Sequence, residues 1–347
     1  MYGRRRMFNT SAAAALFLLL LTSCAQPPPE GPRPPREGIV WPPTPARPRI
    51  EFRGSFSGPE DLGIKRGFLR RVREVFTGVS RPRLIRPMTV VVNVNGEIFV
   101  GDPGSNGVHR FNLKEGGYDL VLGPRGSPLP SPVALTGAPE GEVYVVDSIL
   151  DQVLVIRPGS RFASPLNLKA ELKQPTSVAV DPVTKRLYVV DAGSHAIKVF
   201  KPDGTLYSEF GGRGRGNGQF NYPICIWLNG DRLFVTDALN FRVQIFDLEG
   251  RFISKFGRIG DATGYFARPK GVSTDSFGHV YVVDSLLHAV QIFDQRGRFL
   301  LSFGSQGSGP GEFWLPTGIF IGRDDMIYIA DSHNRRIQIF RYIGGGP

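Results

Sequence analysis

From residue 97 to residue 340, apolar and polar residues alternate in short runs, and the runs come in pairs with an aspartate between the two members. In register the pairs read EIFVGDPGSNGVHRF, EVYVVDSILDQVLVI, RLYVVDAGSHAIKVF, RLFVTDALNFRVQIF, HVYVVDSLLHAVQIF and MIYIADSHNRRIQIF. A period of two sends successive side chains to opposite faces of a strand, so each pair predicts a β-hairpin. The short loop that opens at the Asp supplies the turn.

The aspartates are Asp102, Asp147, Asp191, Asp237, Asp284 and Asp331, at steps of 45, 44, 46, 47 and 47 residues. A proline precedes each one by 14 to 16 residues: Pro87, Pro132, Pro175, Pro223, Pro269 and Pro316. Proline has no N–H for the ladder and fits the first residue of a strand or a sheet edge, so it marks the start of an innermost strand. A period in the forties with about four strands per unit is that of a propeller blade and not of a helical repeat. The expected fold is all-β: a six-bladed β-propeller.

An Asp at a strand-to-strand turn accepts backbone N–H groups of its own loop, and six such turns tie six hairpins. The functional alternative is a ring of carboxylates holding a cation. Recurrence in every blade weighs against it, because a site needs asymmetry.

The unit resembles the NHL repeat, with its P-x-G-(I/V) opening, V-Y-V-x-D-x-x-N-x-R-(I/V)-Q-(I/V)-F hairpin and F-G-x-x-G-x-G-x-G-x-F connection. The strongest copies are FGSQGSGPGEFWLPTGIFIGRDDMIYIADSHNRRIQIF, residues 303–340, and TDALNFRVQIF, residues 236–246. The likeness spans roughly residues 87–340, is weakest in the first two blades, and is specific for fold while nearly silent about function.

The last blade has three strands, near 317–321, 326–330 and 337–340, where earlier blades add an outer strand such as LYSEFG, FISKFG or FLLSFG. The segment RIEFRGSFSG, residues 49–58, has the same aromatic and Gly pattern and is expected to close the ring, leaving no open edge.

Upstream, Arg4, Arg5 and Arg6 precede an apolar run, Ala12 to Leu21, and the box Leu21-Thr22-Ser23-Cys24. The run is shorter than the ~20 residues of a spanning helix, so it reads as a signal peptide. The box resembles the bacterial lipobox, which makes Cys24 the lipidation site and the chain an exported lipoprotein. Arg5-Arg6-Met7-Phe8 matches part of a twin-arginine signal, with incomplete flanks. Ala25 after the lipidated Cys favours the outer membrane, by analogy with lipoprotein sorting. Residues 25–49 hold ten prolines and read as a polyproline tether, with docking of IVWPP in an aromatic groove as the alternative. Only one other cysteine exists, Cys225, so no disulfide staples the ring, and Cys225 is expected to be a small buried hydrophobe.

The net charge is +11. Without the three signal arginines it is +8, of which residues 25–49 contribute +2 and residues 59–88 contribute +5. The ring itself is then nearly neutral, which with export argues against nucleic-acid binding. In DLGIKRGFLRRVREVFTGV, residues 61–79, the apolar Ile64, Phe68, Val72, Val75, Phe76 and Val79 oppose Lys65, Arg66, Arg70, Arg71 and Arg73. That predicts one inserted amphipathic helix, docked on the ring by its apolar face, contacting anionic lipid or a partner, or both. The expected organisation is 1–23 signal peptide, 24–49 lipidated Cys and tether, 50–58 closing strand, 59–86 basic helix insert, 87–343 six blades and 344–347 tail.

The resemblance also points to enzymes. A similar metal-dependent lyase carries histidines just after the blade-opening proline, on the central axis, where this chain has Met88, Val133, Thr176, Ile224, Lys270 and Thr317. These six supply neither a zinc set nor the carboxylates of calcium-binding lactonase-like propellers. Of the five histidines, His109, His195, His279, His288 and His333, two, His195 and His288, lie four residues after their Asp and read as surface loop residues. The chain has no G-x-S-x-G, and its Gly-rich runs lie between blades and read as connecting turns. No cofactor is implied, and without C-x-x-C-H the chain cannot hold c-type haem covalently. The expectation is a monomeric, non-catalytic protein-binding platform in the bacterial envelope, whose partner is an envelope protein of an electron-transfer or export assembly. Contacts are expected at Lys65, Arg66, Arg70, Arg71, Arg73, Met88 and Lys270 and at the loops bearing His195, Asn240, His288 and Asn334. The alternative is a lyase or hydrolase with an atypical channel site.

Overall fold

A computed structural model describes residues 38–64 and 82–344. These residues form six antiparallel sheets, five of four strands and one of five, arranged as six blades. The inner strands are Thr89–Val92, Pro132–Gly137, Pro175–Val180, Pro223–Asn229, Pro269–Thr274 and Ile319–Ile321. Four of the six begin at the predicted proline, whereas blades 1 and 6 begin two and three residues after it.

Closure follows the expected route. Ile50–Phe56 pairs with the last strand, Arg336–Tyr342, from Ile50 opposite Tyr342 to Phe56 opposite Ile337. The inner strands of blades 6 and 1 meet where Thr317 Oγ1 donates to Met88 O at 2.9 Å. Six apolar clusters fill the spaces between neighbouring blades, each fed by one face of two sheets. Alternation in the sequence becomes sixfold packing because the middle strands of each blade are buried on two faces, one toward each neighbour, while outer strands such as Leu206–Gly211 are largely exposed.

The Gly-rich connections have a steric cause. At Gly211, Gly257 and Gly304 φ is 117°, 93° and 91°, and an added Cβ would lie 2.3 to 2.7 Å from the ring of Phe220, Phe266 or Phe313. The first Gly of each F-G-x-x-G connection thus yields its side-chain space to the Phe that ends the connection.

Two expectations change. The tether ends before residue 49: Val40–Trp41 pairs with the closing strand as a fifth strand, and the Trp41 ring lies 5.8 Å from Phe303 and 5.8 Å from Phe340. The aromatic groove for IVWPP is therefore on the chain's own ring. The insert starts not as an α-helix but as a 3₁₀ turn, Pro59–Leu62, closed by Gly63 at φ 73°, a left-handed conformation that ends it. Ile64, first of the apolar stripe, is buried against Phe56, Leu84 and Val90. The rest of the expected helix, with Lys65, Arg66, Arg70, Arg71 and Arg73, lies outside the described residues, as do Cys24 and the signal segment.

The closing strand anchors the sixth blade through Phe56, which is 1% exposed and meets Phe111 edge-on at 5.3 Å. Phe56→Ala is expected to lower unfolding free energy by about 3–5 kcal/mol in chemical denaturation. Deleting residues 50–56 should abolish cooperative unfolding altogether; a cooperative, soluble deletion variant would contradict this closure.

Candidate functional site

All six repeated aspartates are fully buried, and each does more than hold its own loop. Own-loop amides reach Asp102, Asp147 and Asp284, through Gly104 and Ser105, Ile149 and Leu150, and Leu286 and Leu287. Every one of the six also accepts backbone N–H groups from the segment leading into its blade's inner strand. Those donors are Ile85 and Arg86, Ser131, Lys173 and Gln174, Asn221, Ala267 and Arg268, and Trp314.

In blades 4 and 6 the network is complete. Arg242 Nε donates to Asp237 at 2.8 Å while its remaining nitrogens reach the carbonyls of Arg215, Gly216 and Gln219. Arg336 does the same for Asp331 and the carbonyls of Ser308, Gly309 and Glu312. Asn240 and Asn334, expected as binding residues, donate to the same aspartates and to the carbonyls of Gly214 and Gly307. His195 and His288, also expected there, accept from the next blade's Tyr222 and Leu315 N–H through Nδ1. These four side chains stand at the loops that follow the aspartates, with the polar groups named here engaged in the scaffold.

A Ser, His and Asp cluster that sequence reading did not assemble occurs in blade 1. His109 Nε2 lies 3.0 Å from Ser105 Oγ and 3.4 Å from Asp102 Oδ2, and Nδ1 faces the Tyr118 hydroxyl at 2.9 Å. In a catalytic triad the acid orients the imidazole nitrogen remote from the serine. Here acid and serine share one nitrogen, and the serine also donates to the acid. His109 occupies the position of Lys198, Gln244 and Gln338 in blades 3, 4 and 6, all of which bond their own Asp. The cluster is blade 1's version of the common network.

The inner strands enclose a central channel of about 900 Å³, and the six axial residues, Met88, Val133, Thr176, Ile224, Lys270 and Thr317, all line it. The register slips by one residue directly after Pro132, Pro175, Pro223 and Pro269. Bulges re-aim side chains, and these bulges lie at the axial residues of four blades. Deeper in, Trp227 meets Phe320 edge-on at 6.1 Å, and its indole N–H donates to Thr274 Oγ1 at 2.9 Å. Cys225 packs against the core between blades 4 and 5, as expected of a small hydrophobe, and also borders the channel; burial pushes its thiol pKa up. Among the described residues, no group of three or more His, Cys, Asp or Glu side chains is arranged to hold a metal ion.

Around the mouth where the inner strands start, large apolar side chains face solvent: Ile85, Ile149, Leu150, Leu239, Leu286 and Trp314, 39 to 66% exposed. Each sits beside one of the buried aspartates, at the second or third residue of its loop or in the lead-in segment. The signal was present in the sequence as apolar residues at the tips of polar loops, and it acquires meaning once the loops converge on one face.

A family model described as 6-bladed beta-propeller matches residues 274–343, and one described as Teneurin NHL domain matches residues 123–205. Together with the six blades, these matches make the chain a six-bladed β-propeller with NHL-type repeats. No curated protein matches it. Among solved structures, virginiamycin B lyase from Staphylococcus aureus is 17% identical with a TM-score of 0.54, covering 74% of this chain and 95% of that one. An auxiliary nutrient binding protein from Bacteroides ovatus is 14% identical with a TM-score of 0.59, covering 74% and 70%. The Kuenenia stuttgartiensis hydrazine synthase is 14% identical with a TM-score of 0.52, covering 76% and 97%. At these identities the likeness concerns fold.

The buried network sets an acid limit. Burial alone raises the Asp102 pKa, but the hydrogen bond with His109 and the Ile85 and Arg86 amides outweigh it and lower the value from 3.8 to about 2. A carboxylate with a depressed folded-state pKa stabilises the fold above its unfolded pKa and loses that contribution as pH falls through the folded one. Between pH 4 and pH 2 the protein should therefore lose about 2 kcal/mol through Asp102. In denaturant titrations Asp102→Asn should be less stable at pH 7 and change less over that interval. In blade 4, Arg242→Ala leaves Asp237 buried without its cation and should cost about 3–5 kcal/mol.

Proposed function

We propose that the chain is an exported lipoprotein, anchored through Cys24 in the outer membrane, whose propeller is a non-catalytic docking platform for an envelope protein. The observation that carries this reading is the annulus of exposed apolar side chains around one channel mouth, Ile85, Ile149, Leu239, Leu286 and Trp314. Polar loops expose such residues at a cost in solubility, and a ring of them rimmed by polar groups suits a protein interface. The annulus stands on loops held from beneath by the aspartate network, so it is presented rigidly and little ordering entropy opposes binding. Among similar structures the name auxiliary nutrient binding protein accords with binding, whereas virginiamycin B lyase accords with the alternative, a lyase or hydrolase with an atypical channel site. In an electron-transfer or export assembly, which remains part of the proposal, the chain's role would be that of a partner to the redox or transport component.

Photo-crosslinkers placed at Leu239 or Leu286 of the full chain in cells should capture one recurrent envelope protein. Leu239→Asp with Leu286→Asp should abolish that capture and leave the melting temperature nearly unchanged, since surface substitutions usually stay within about 0.5 kcal/mol. Capture that survives the double substitution would exclude this face. Cys24→Ser should move the protein from the membrane to the soluble fraction.

A further inference from the structure

The central channel has an asymmetry that partner docking does not use. Of the six axial residues, five are uncharged and one, Lys270, is a cation. Its amine makes no hydrogen bond or ion pair among the described residues, although it sits in the channel wall. The axial threonines have partners: Thr176 Oγ1 donates to Pro223 O and Thr317 Oγ1 to Met88 O. The carboxylates of the lining, Asp275 and Asp324, belong to the far end. Asp275 is five residues along the chain from Lys270, roughly 16 Å at ~3.3 Å per residue, and is itself engaged by His279 and Tyr281.

The exposed Arg268 stands at the same mouth, and its proximity, after burial as the larger cause, lowers the Lys270 pKa. Of the two, Lys270 alone belongs to the channel lining; the lining's other charged groups, Asp275, Arg323 and Asp324, lie toward the opposite end. From the level of Lys270, Val133 and Ile224 inward, apolar side chains run through Cys225 to Trp227 and Phe320, interspersed with the hydroxyls of Thr136, Ser177 and Thr274. Trp227 lies three residues past Ile224, so it stands roughly 10 Å along the strand from the level of the axial residues at ~3.3 Å per residue. A volume of about 900 Å³ falls within the range of small-molecule sites.

We propose that this channel binds a small monocarboxylate with an apolar body of about ten carbons, its carboxylate on Lys270 and its tail directed toward Trp227 and Phe320. A part-buried ammonium without a partner among the described residues is costly, and a carboxylate on it makes a charge-assisted hydrogen bond. The single point charge selects one anionic group, and the apolar wall below it selects the body. This site is independent of partner docking on the annulus outside, and either can hold without the other.

The test uses the full chain carrying Cys24→Ser, so that no acyl anchor competes, and calorimetric titration with decanoate, decan-1-ol and decylamine. Decanoate should bind one per chain, and Lys270→Met should weaken it at least tenfold without lowering the melting temperature. Decan-1-ol should bind both chains equally, and decylamine more weakly than decanoate. A bromodecanoate carrying bromine at the tail should quench fluorescence in the parent chain, and Trp227→Phe should remove most of that quenching. Val133→Phe, which narrows the same mouth and keeps the lysine, should also weaken decanoate. Equal decanoate affinity in the parent and Lys270→Met chains, or decylamine binding as tightly as decanoate, would overturn the assignment. So would quenching that persists fully without Trp227, which would place the acid on the exterior annulus.

Discussion

The structure depends on one buried carboxylate per blade. Each of the six aspartates sits where the second strand ends, and each binds backbone amides of the segment that leads into the first. A buried carboxylate is tolerable when every lone pair is engaged, and here the chain's own unpaired amides at the loops and lead-ins do this. The same bonds decide where each inner strand starts and therefore which residue reaches the axis. Where the repeat adds Arg, as at Arg242 and Arg336, the cation offsets the charge and its other nitrogens clamp the Gly-rich connection to the neighbouring blade.

This arrangement separates scaffold from surface. The polar residues that give the repeat its signature face inward and are bonded, so the motif describes how blades hold together. What distinguishes this molecule lies where the motif leaves positions open: the second loop residue after each Asp, and the residue after each proline. The first set supplies the exposed apolar Ile149, Leu239 and Leu286, and the second supplies six residues of the channel wall, of which Lys270 is the charged one. Function in such a fold is decided at positions that the fold does not constrain.

The repeat, the strand pairs, the prolines and the closing strand were legible in the chain because each rests on local chemistry: alternation, a turn acid, a missing N–H, an unmatched outer strand. The candidate site was legible only in part. Met88 and Lys270 were placed on the axis by counting from the prolines. His195, Asn240, His288 and Asn334 were located correctly as loop residues, but their hydrogen bonds run to residues 3 to 27 positions away, beyond what spacing reveals. The Trp41 strand was hidden in a proline-rich stretch because its partner groove, formed by Phe303 and Phe340, is made by residues from the other end of the chain.

By itself the sequence determined six blades, their register and the strand that closes them, since these follow from short-range patterns repeated at a fixed interval. Tertiary structure alone decided which polar residues are consumed by the scaffold and which stay free. It decided too that scattered apolar loop residues come to one face, and that Lys270, without a partner among the described residues, shares the channel with Trp227 and Phe320. The physical reason is distance: a side chain's partner, or the lack of one, is set by which blades the ring brings together.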